Sequence, residues 1–160
     1  DSVNVIIHNA WRLDFNLSLT SFEQNIQGTR RLIDLARSGP HPELVRFIFT
    51  SSVASAQAWG QPEVPFPEEV VADAAVAVGN GYGEGKYVSE RILAKSGVQF
   101  ASLRIGQVCG GLPNGAWATS DWLPILVKSS IALGALPRTT GVRRLASLIV
   151  IRIIFHLACV

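Results

Sequence analysis

The sequence predicts an α/β fold, part of a doubly wound parallel sheet with helices on its faces. Three observations predict it. Short apolar runs alternate with longer stretches of helical periodicity in the order strand, helix, strand, helix, strand, as in parallel sheets joined by crossover helices. Polar groups follow the strands, at His8-Asn9, Ser51-Ser52 and Arg104-Ile105-Gly106, and in such sheets ligands sit beyond the carboxyl ends of the strands. Tyr82-Gly-Glu-Gly-Lys86 then sets a tyrosine and a lysine four residues apart at the start of the second helical stretch.

Each element has its own local reason. Val3 to Ile7 is a short apolar run with β-branched residues, bounded by His8-Asn9, and reads as a buried parallel strand. Ser21 to Arg37 places Phe22, Ile26, Ile33 and Ala36 at helical spacing, and Ser38-Gly39-Pro40 ends it. Leu44 to Phe49 is a second buried strand that runs into Thr50-Ser51-Ser52. The stretch from Gln57 to Asn80, with Pro62, Pro65, Pro67 and Glu68-Glu69, reads as a surface excursion over the pocket. Gly79-Asn80-Gly81, Gly83 and Gly85, before and within the next helix, Tyr82 to Lys95, read as a flexible approach to the active site, and that helix ends at Ser96-Gly97. Val98 to Leu103 is the third strand.

The Tyr82 and Lys86 spacing carries the chemistry. Residues four apart on a helix share one face, so the ammonium can act on the phenol. A free phenol ionises near pH ~10 and donates poorly at neutral pH; a fixed cation nearby is expected to lower that value. Ser52 would complete the site by hydrogen-bonding a substrate oxygen. The alternative is a solvated ion-and-dipole pair with no chemistry.

These residues resemble the extended short-chain dehydrogenase/reductases. Ile7-His8-Asn9-Ala10 is similar to the turn beside the cofactor, Asn25-Ile26-Gln27-Gly28-Thr29 to an N-V-x-G-T helix motif, and Phe47 to Ser52 with Tyr82 and Lys86 to the catalytic set. A narrower resemblance rests on Leu103 to Gly110, Gly115 to Pro124 and Leu133 to Pro137. These segments are similar to the male-sterility-type NAD-binding, thioester reductase domain that ends fungal adenylate-forming reductases and some nonribosomal peptide synthetases. The resemblance implies that residues 1–137 are the C-terminal half of a Rossmann-like NAD(P)-binding domain.

It also implies roles. Ser52, Tyr82 and Lys86 would be catalytic, with Tyr82 as proton donor and Lys86 on the nicotinamide ribose. His8, Asn9, Ala10, Asn25, Ser51, Ile105 and Gly106, together with Tyr82 and Lys86, would face the cofactor, expected to be NADP(H). Asn25 would support a polar relay near Lys86, or bond only to neighbouring backbone. Arg104 and Gln107 would lie by the substrate, with a buried structural ion pair as the alternative for Arg104. Trp117 and Trp122 would line an acyl pocket, or simply pack. The partner implied is a phosphopantetheinyl carrier domain holding an acyl thioester, which would leave as an aldehyde. The alternatives are a piece of a nucleotide-sugar epimerase or dehydratase, which shares the same three catalytic residues, and a non-catalytic truncated remnant.

No Gly-rich turn of the G-x-x-G-x-x-G kind follows a strand, so this chain is expected to be a fragment or a truncated product that does not bind the cofactor tightly. Net charge +2 gives no basic field for nucleic acid. Cys109 and Cys159 have neither disulfide-framework nor metal spacing, the three histidines are scattered, and a reducing cytoplasm is the simplest setting. Residues 138–160 form a tail with four arginines and no acid. Its apolar run is shorter than the roughly 20 residues of a membrane span and is interrupted by Arg152, so no membrane segment is expected. The tail's origin is left between an aberrant reading frame or unspliced sequence and a divergent core helix.

Overall fold

The computed structural model describes residues 3–61, 63–108, 114, 116–135 and 152–156. It divides the chain into two units, residues 1–105 with 151–160, and residues 106–150.

In the first unit, β1 (Val5–His8), β2 (Arg46–Ser52) and β3 (Gln99–Ile105) pair in parallel in that order. A 3₁₀ turn at Leu19–Phe22 leads into α1 (Glu23–Ser38), and α2 (Gly81–Ala94) precedes β3. The strand alternation of β2 sends Phe47, Phe49 and Ser51 to one face, where all three are buried. Ile6, Ile33, Ala36, Leu93 and Phe100 close the core around Phe47 and Phe49. The helices thus cover one face of the sheet. The other face departs from the expectation of a strand buried on both sides, because Val5 and Ile7 are 52% and 66% exposed.

Three further readings change. β2 runs through Ser52, pairing Thr50, Ser51 and Ser52 with Leu103, Arg104 and Ile105, so the hydroxyl run belongs to the strand and not to a loop after it. The stretch from 57 to 80 is packed against α2: Phe66, Val76, Ala77 and Tyr87 form a second buried cluster with Trp59 and Val71 against it. The expected surface excursion carried enough apolar residues of its own to make a core. The glycines before and within α2 are close-packing positions and not a flexible approach. A Cβ at Gly81 would lie 2.2 Å from the Ser18 carbonyl carbon, and one at Gly83 would lie 2.3 Å from the Ala54 carbonyl oxygen. Hydrogen at these positions lets the start of α2 touch two backbones.

Of the basic tail, residues 152–156 form β4 (Arg152–His156), which pairs with β3 antiparallel. That replaces the core-helix alternative for this segment, in keeping with the β-branched Ile153 and Ile154. The proposed boundary at 137/138 and both cysteines lie outside the described residues.

The second unit contains α3 (Trp122–Leu133), which ends on Gly134 in the left-handed conformation at φ 63°. Among its apolar residues Ile125, Val127, Ile131 and Leu133 are exposed.

Candidate active site

The carboxyl end of β2 faces the first turns of α2, where Lys86 Nζ lies 5.8 Å from the Tyr82 ring centre. Asn80 caps the helix, its Oδ1 accepting from the Gly83 amide at 3.0 Å, which fixes the turn that carries Tyr82. Ser52 ends β2 and accepts from the Ala54 amide at 3.2 Å, anchoring the 3₁₀ turn Val53–Ala56. Tyr82 stands near enough to Ser52 for that hydroxyl to act on its pKa, and its ring meets Phe15 edge-on at 4.8 Å and Phe22 at 6.2 Å. One turn on, Lys86 is 2% exposed and its Nζ donates to the Thr50 carbonyl at 2.6 Å. The ammonium also sits 4.2 Å from the Trp11 ring centre and 4.9 Å from that of Phe49. Ser52, Tyr82 and Lys86 are therefore brought together as expected.

Their electrostatics reverse one expectation. Burial pushes the Tyr82 phenol above its ordinary value, and the Ser52 hydroxyl acts the other way. Burial has also driven the Lys86 amine down to about 7, against the pull of Glu90.

The remaining predicted residues divide. His8 is buried at the end of β1 among Trp11, Phe47 and Phe49, and its Nε2 lies 3.0 Å from Thr29 Oγ1. Burial first, and Lys86 second, push its pKa down. Asn9 and Ala10 are exposed beyond the strand. Asn25 takes part through its carbonyl, which accepts from Thr29 Oγ1 at 3.2 Å; the polar chain that forms runs His8, Thr29, Ser89. Ser51 turns away from Ser52 into the helix-covered face and donates to Glu90 Oε1.

Arg104 is a structural ion pair, not a substrate contact. It is 2% exposed, and its Nε and Nη2 donate to both oxygens of Glu90, the shortest at 2.7 Å. Nη1 and Nη2 also bond the Pro67 and Glu69 carbonyls at 3.0 Å, so each of its three nitrogens is bonded to protein. Ile105 ends β3, whereas Gly106 and Gln107 belong to the second unit. There Trp117 donates to Asp121 Oδ2 at 2.7 Å and lines a groove with Leu123, Pro124, Val127, Lys128 and Ile131. Trp122 is exposed and donates to Gln107 Oε1 at 2.8 Å, and the groove is formed without it.

Sequence reasoning missed Glu90, Thr29, Ser55 and Trp11. For Glu90 a signal existed, since Tyr82, Lys86 and Glu90 recur every four residues and so form one stripe on α2. Among the described residues no cluster of three or more His, Cys, Asp or Glu side chains could hold a metal ion, and no helix is long and apolar enough to cross a membrane.

Comparison with known proteins bears on this group of residues. A family model described as Male sterility protein, an NAD-binding family, matches residues 1–154. The adenylate-forming reductase Nps11 of Serpula lacrymans var. lacrymans is 63% identical over 142 residues, 88% of this chain and 13% of that protein. Nps9 of the same fungus is 59% identical over 136 residues, 85% of this chain and 12% of that protein. The chain thus spans only a small part of the relatives it matches. Among solved structures, the terminal R domain from the myxalamid PKS-NRPS biosynthetic pathway superposes with a TM-score of 0.69 at 25% identity, over 83% of this chain and 34% of that one.

Proposed function

The chain belongs to the Male sterility protein family of NAD-binding domains, and from that premise we propose that it supplies the catalytic half of an NADPH-dependent reductase that releases a carrier-bound acyl thioester as an aldehyde. The observation that carries the reading is the meeting of Ser52, Tyr82 and Lys86 at the carboxyl end of β2. The reductase relatives at 63% and 59% identity favour it over a nucleotide-sugar epimerase with the same three residues.

The residues present fit a nicotinamide cofactor. Lys86 Nζ carries two protons when neutral and three when charged, and its described hydrogen bond, to Thr50, uses one of them. Trp11 Nε1 beside it is buried without a hydrogen-bond partner among the described residues. Together they offer donors that ribose hydroxyls or an amide oxygen would satisfy, next to the two hydroxyls that would hold a reacting carbonyl. When bound, the reduced nicotinamide supplies the hydride.

The chain's own residues do the rest. Ser52 and Tyr82 donate to the thioester carbonyl oxygen, where negative charge develops as the carbon becomes tetrahedral. Tyr82 then gives its proton to that oxygen. Burial raises the Tyr82 pKa and makes the phenol a weaker acid, so the transfer is driven by the developing alkoxide, a stronger base than phenolate. Collapse of the resulting hemithioacetal breaks the C–S bond and frees an aldehyde and a thiol. The partner in this reading is a phosphopantetheinyl carrier domain, and the setting is the cytoplasm, where nicotinamide cofactors and reduced thiols coexist.

The test is Tyr82→Phe in the full-length protein, assayed with NADPH and octanoyl-phosphopantetheine. The reading expects turnover to fall by at least the ~10²-fold typical of a lost general acid while NADPH binding is kept. Ordinary turnover by the variant would remove Tyr82 from the reaction.

A further inference from the structure

We propose that Glu90, fixed by Arg104, is a positioning residue that sets where the Ser52 hydroxyl stands against Tyr82. This rests on the roles given above to Ser52 and Tyr82.

Three successive turns of α2 grip the last three residues of β2. Lys86 bonds the Thr50 carbonyl, Glu90 takes the Ser51 hydroxyl, and Tyr82 on the first of these turns stands near Ser52. Glu90 Oε1 also accepts from Ser55 Oγ at 3.3 Å, beyond Ser52 in the 3₁₀ turn Val53–Ala56. One buried carboxylate therefore holds the chain on both sides of Ser52. Between those two points Ser52 has the amide of Ala54 to orient its oxygen.

The carboxylate has little room to move. Glu90, Ser51 and Ser55 are at most 3% exposed, and Arg104 binds both carboxylate oxygens from the neighbouring strand. Arg104 is fixed in turn by the Pro67 and Glu69 carbonyls and by the face of Phe66, 4.5 Å from its guanidinium carbon. A charged pair so thoroughly bonded is a rigid reference point, and a hydroxyl misplaced by about 1 Å at a reacting centre costs up to ~10²-fold in rate. Glu90 reaches no substrate itself. It acts through Ser51 and Ser55.

The test removes the two hydroxyls and leaves the ion pair intact. In the chain carrying Tyr87→Phe, Tyr82 is the sole tyrosine, so phenolate absorbance reads its titration alone. Ser52→Ala should raise the midpoint by roughly 0.5 to 1 pH unit, the worth of one lost hydrogen bond to the phenolate. Ser51→Ala with Ser55→Ala should raise it in the same direction and add nothing in the Ser52→Ala background. In the full-length protein the same pair should lower turnover of octanoyl-phosphopantetheine about 10-fold with the KM for NADPH unchanged. A midpoint that moves with Ser52→Ala but not with the Ser51 and Ser55 pair overturns the positioning role of Glu90. A midpoint that moves with neither overturns the Ser52 and Tyr82 contact on which the proposal rests. A second comparison tests the carboxylate directly: Glu90→Gln/Arg104→Met keeps an acceptor for both serines, and Glu90→Leu/Arg104→Met does not. The first should turn over faster than the second, and equal rates from both would argue against the acceptor.

Discussion

Replacing Lys86 by methionine should make the protein more stable near neutral pH, although it removes a residue of the active site. A fall of the amine from its ordinary 10.5 to about 7 corresponds to a penalty of about 5 kcal/mol on the charged form in the folded state. The sign follows from proton counting. Below pH 7 the amine is charged in both folded and unfolded chains, and the penalty is felt in full. Between pH 7 and 10.5 only the unfolded chain holds the proton, so stability rises with pH by up to ~1.4 kcal/mol per unit. Above 10.5 both forms are neutral and the penalty is gone. Methionine fills a similar volume without a charge. It leaves the Thr50 carbonyl without its 2.6 Å donor, at a cost of about 1 to 3 kcal/mol, and forfeits about 1 kcal/mol of attraction to the Trp11 ring. The net gain expected at pH 6 to 7 is about 1 to 3 kcal/mol. Urea unfolding followed by tryptophan fluorescence from pH 6 to 9.5 measures it, with the parent curve climbing to meet the variant as pH rises. Parallel curves, or a variant less stable than the parent at pH 6, would refute the burial argument.

The other predictions concern packing and the cofactor. Gly81→Ala should destabilise by about 1 to 3 kcal/mol because its methyl meets the Ser18 backbone, whereas Gly28→Ala, with open space around it in α1, should gain about 0.5 to 1 kcal/mol; thermal melts that rank them the other way would contradict the close-packing role. Arg104→Met should cost about 3 to 5 kcal/mol by leaving Glu90 buried without its counter-ion, and a loss below 1 kcal/mol in urea would show the pair to be dispensable. Titration of the 160-residue chain with NADPH, followed by cofactor fluorescence, should show no saturable binding in the micromolar range, since no Gly-rich turn in this sequence cradles a pyrophosphate. Saturation there would place the phosphate contacts elsewhere in the chain.

What the sequence disclosed depended on distance along the chain. The apolar runs around Ile6, Phe47 and Phe100 and the spacing of Tyr82 and Lys86 are local signals, and strands, helices and a shared helix face followed from them. Ser51 and Ser52 are neighbours of identical chemistry, and only the strand's alternation decides that one meets a buried carboxylate and the other the phenol. Arg104 and Glu90 are charged residues on different elements, so their pairing is a property of how α2 lies on β3 and has no spacing to betray it. The same holds for Gly81 and Gly83, whose neighbours Ser18 and Ala54 are far away in sequence. α3 escaped for another reason: its residues are apolar nearly all round, which leaves no periodic face to read.

The stripe of Tyr82, Lys86 and Glu90 also limits how this helix can evolve. Each residue of an α-helix turns the next by about 100°, so losing or gaining one position between Tyr82 and Glu90 would swing the carboxylate off Ser51 and Arg104 while leaving the phenol in place. Substitutions in this segment can be sampled one at a time, but length changes cannot. Insertions and deletions in descendants of this chain should therefore accumulate around Gly60, where added space meets nothing, and be absent from the ten residues that begin at Gly81.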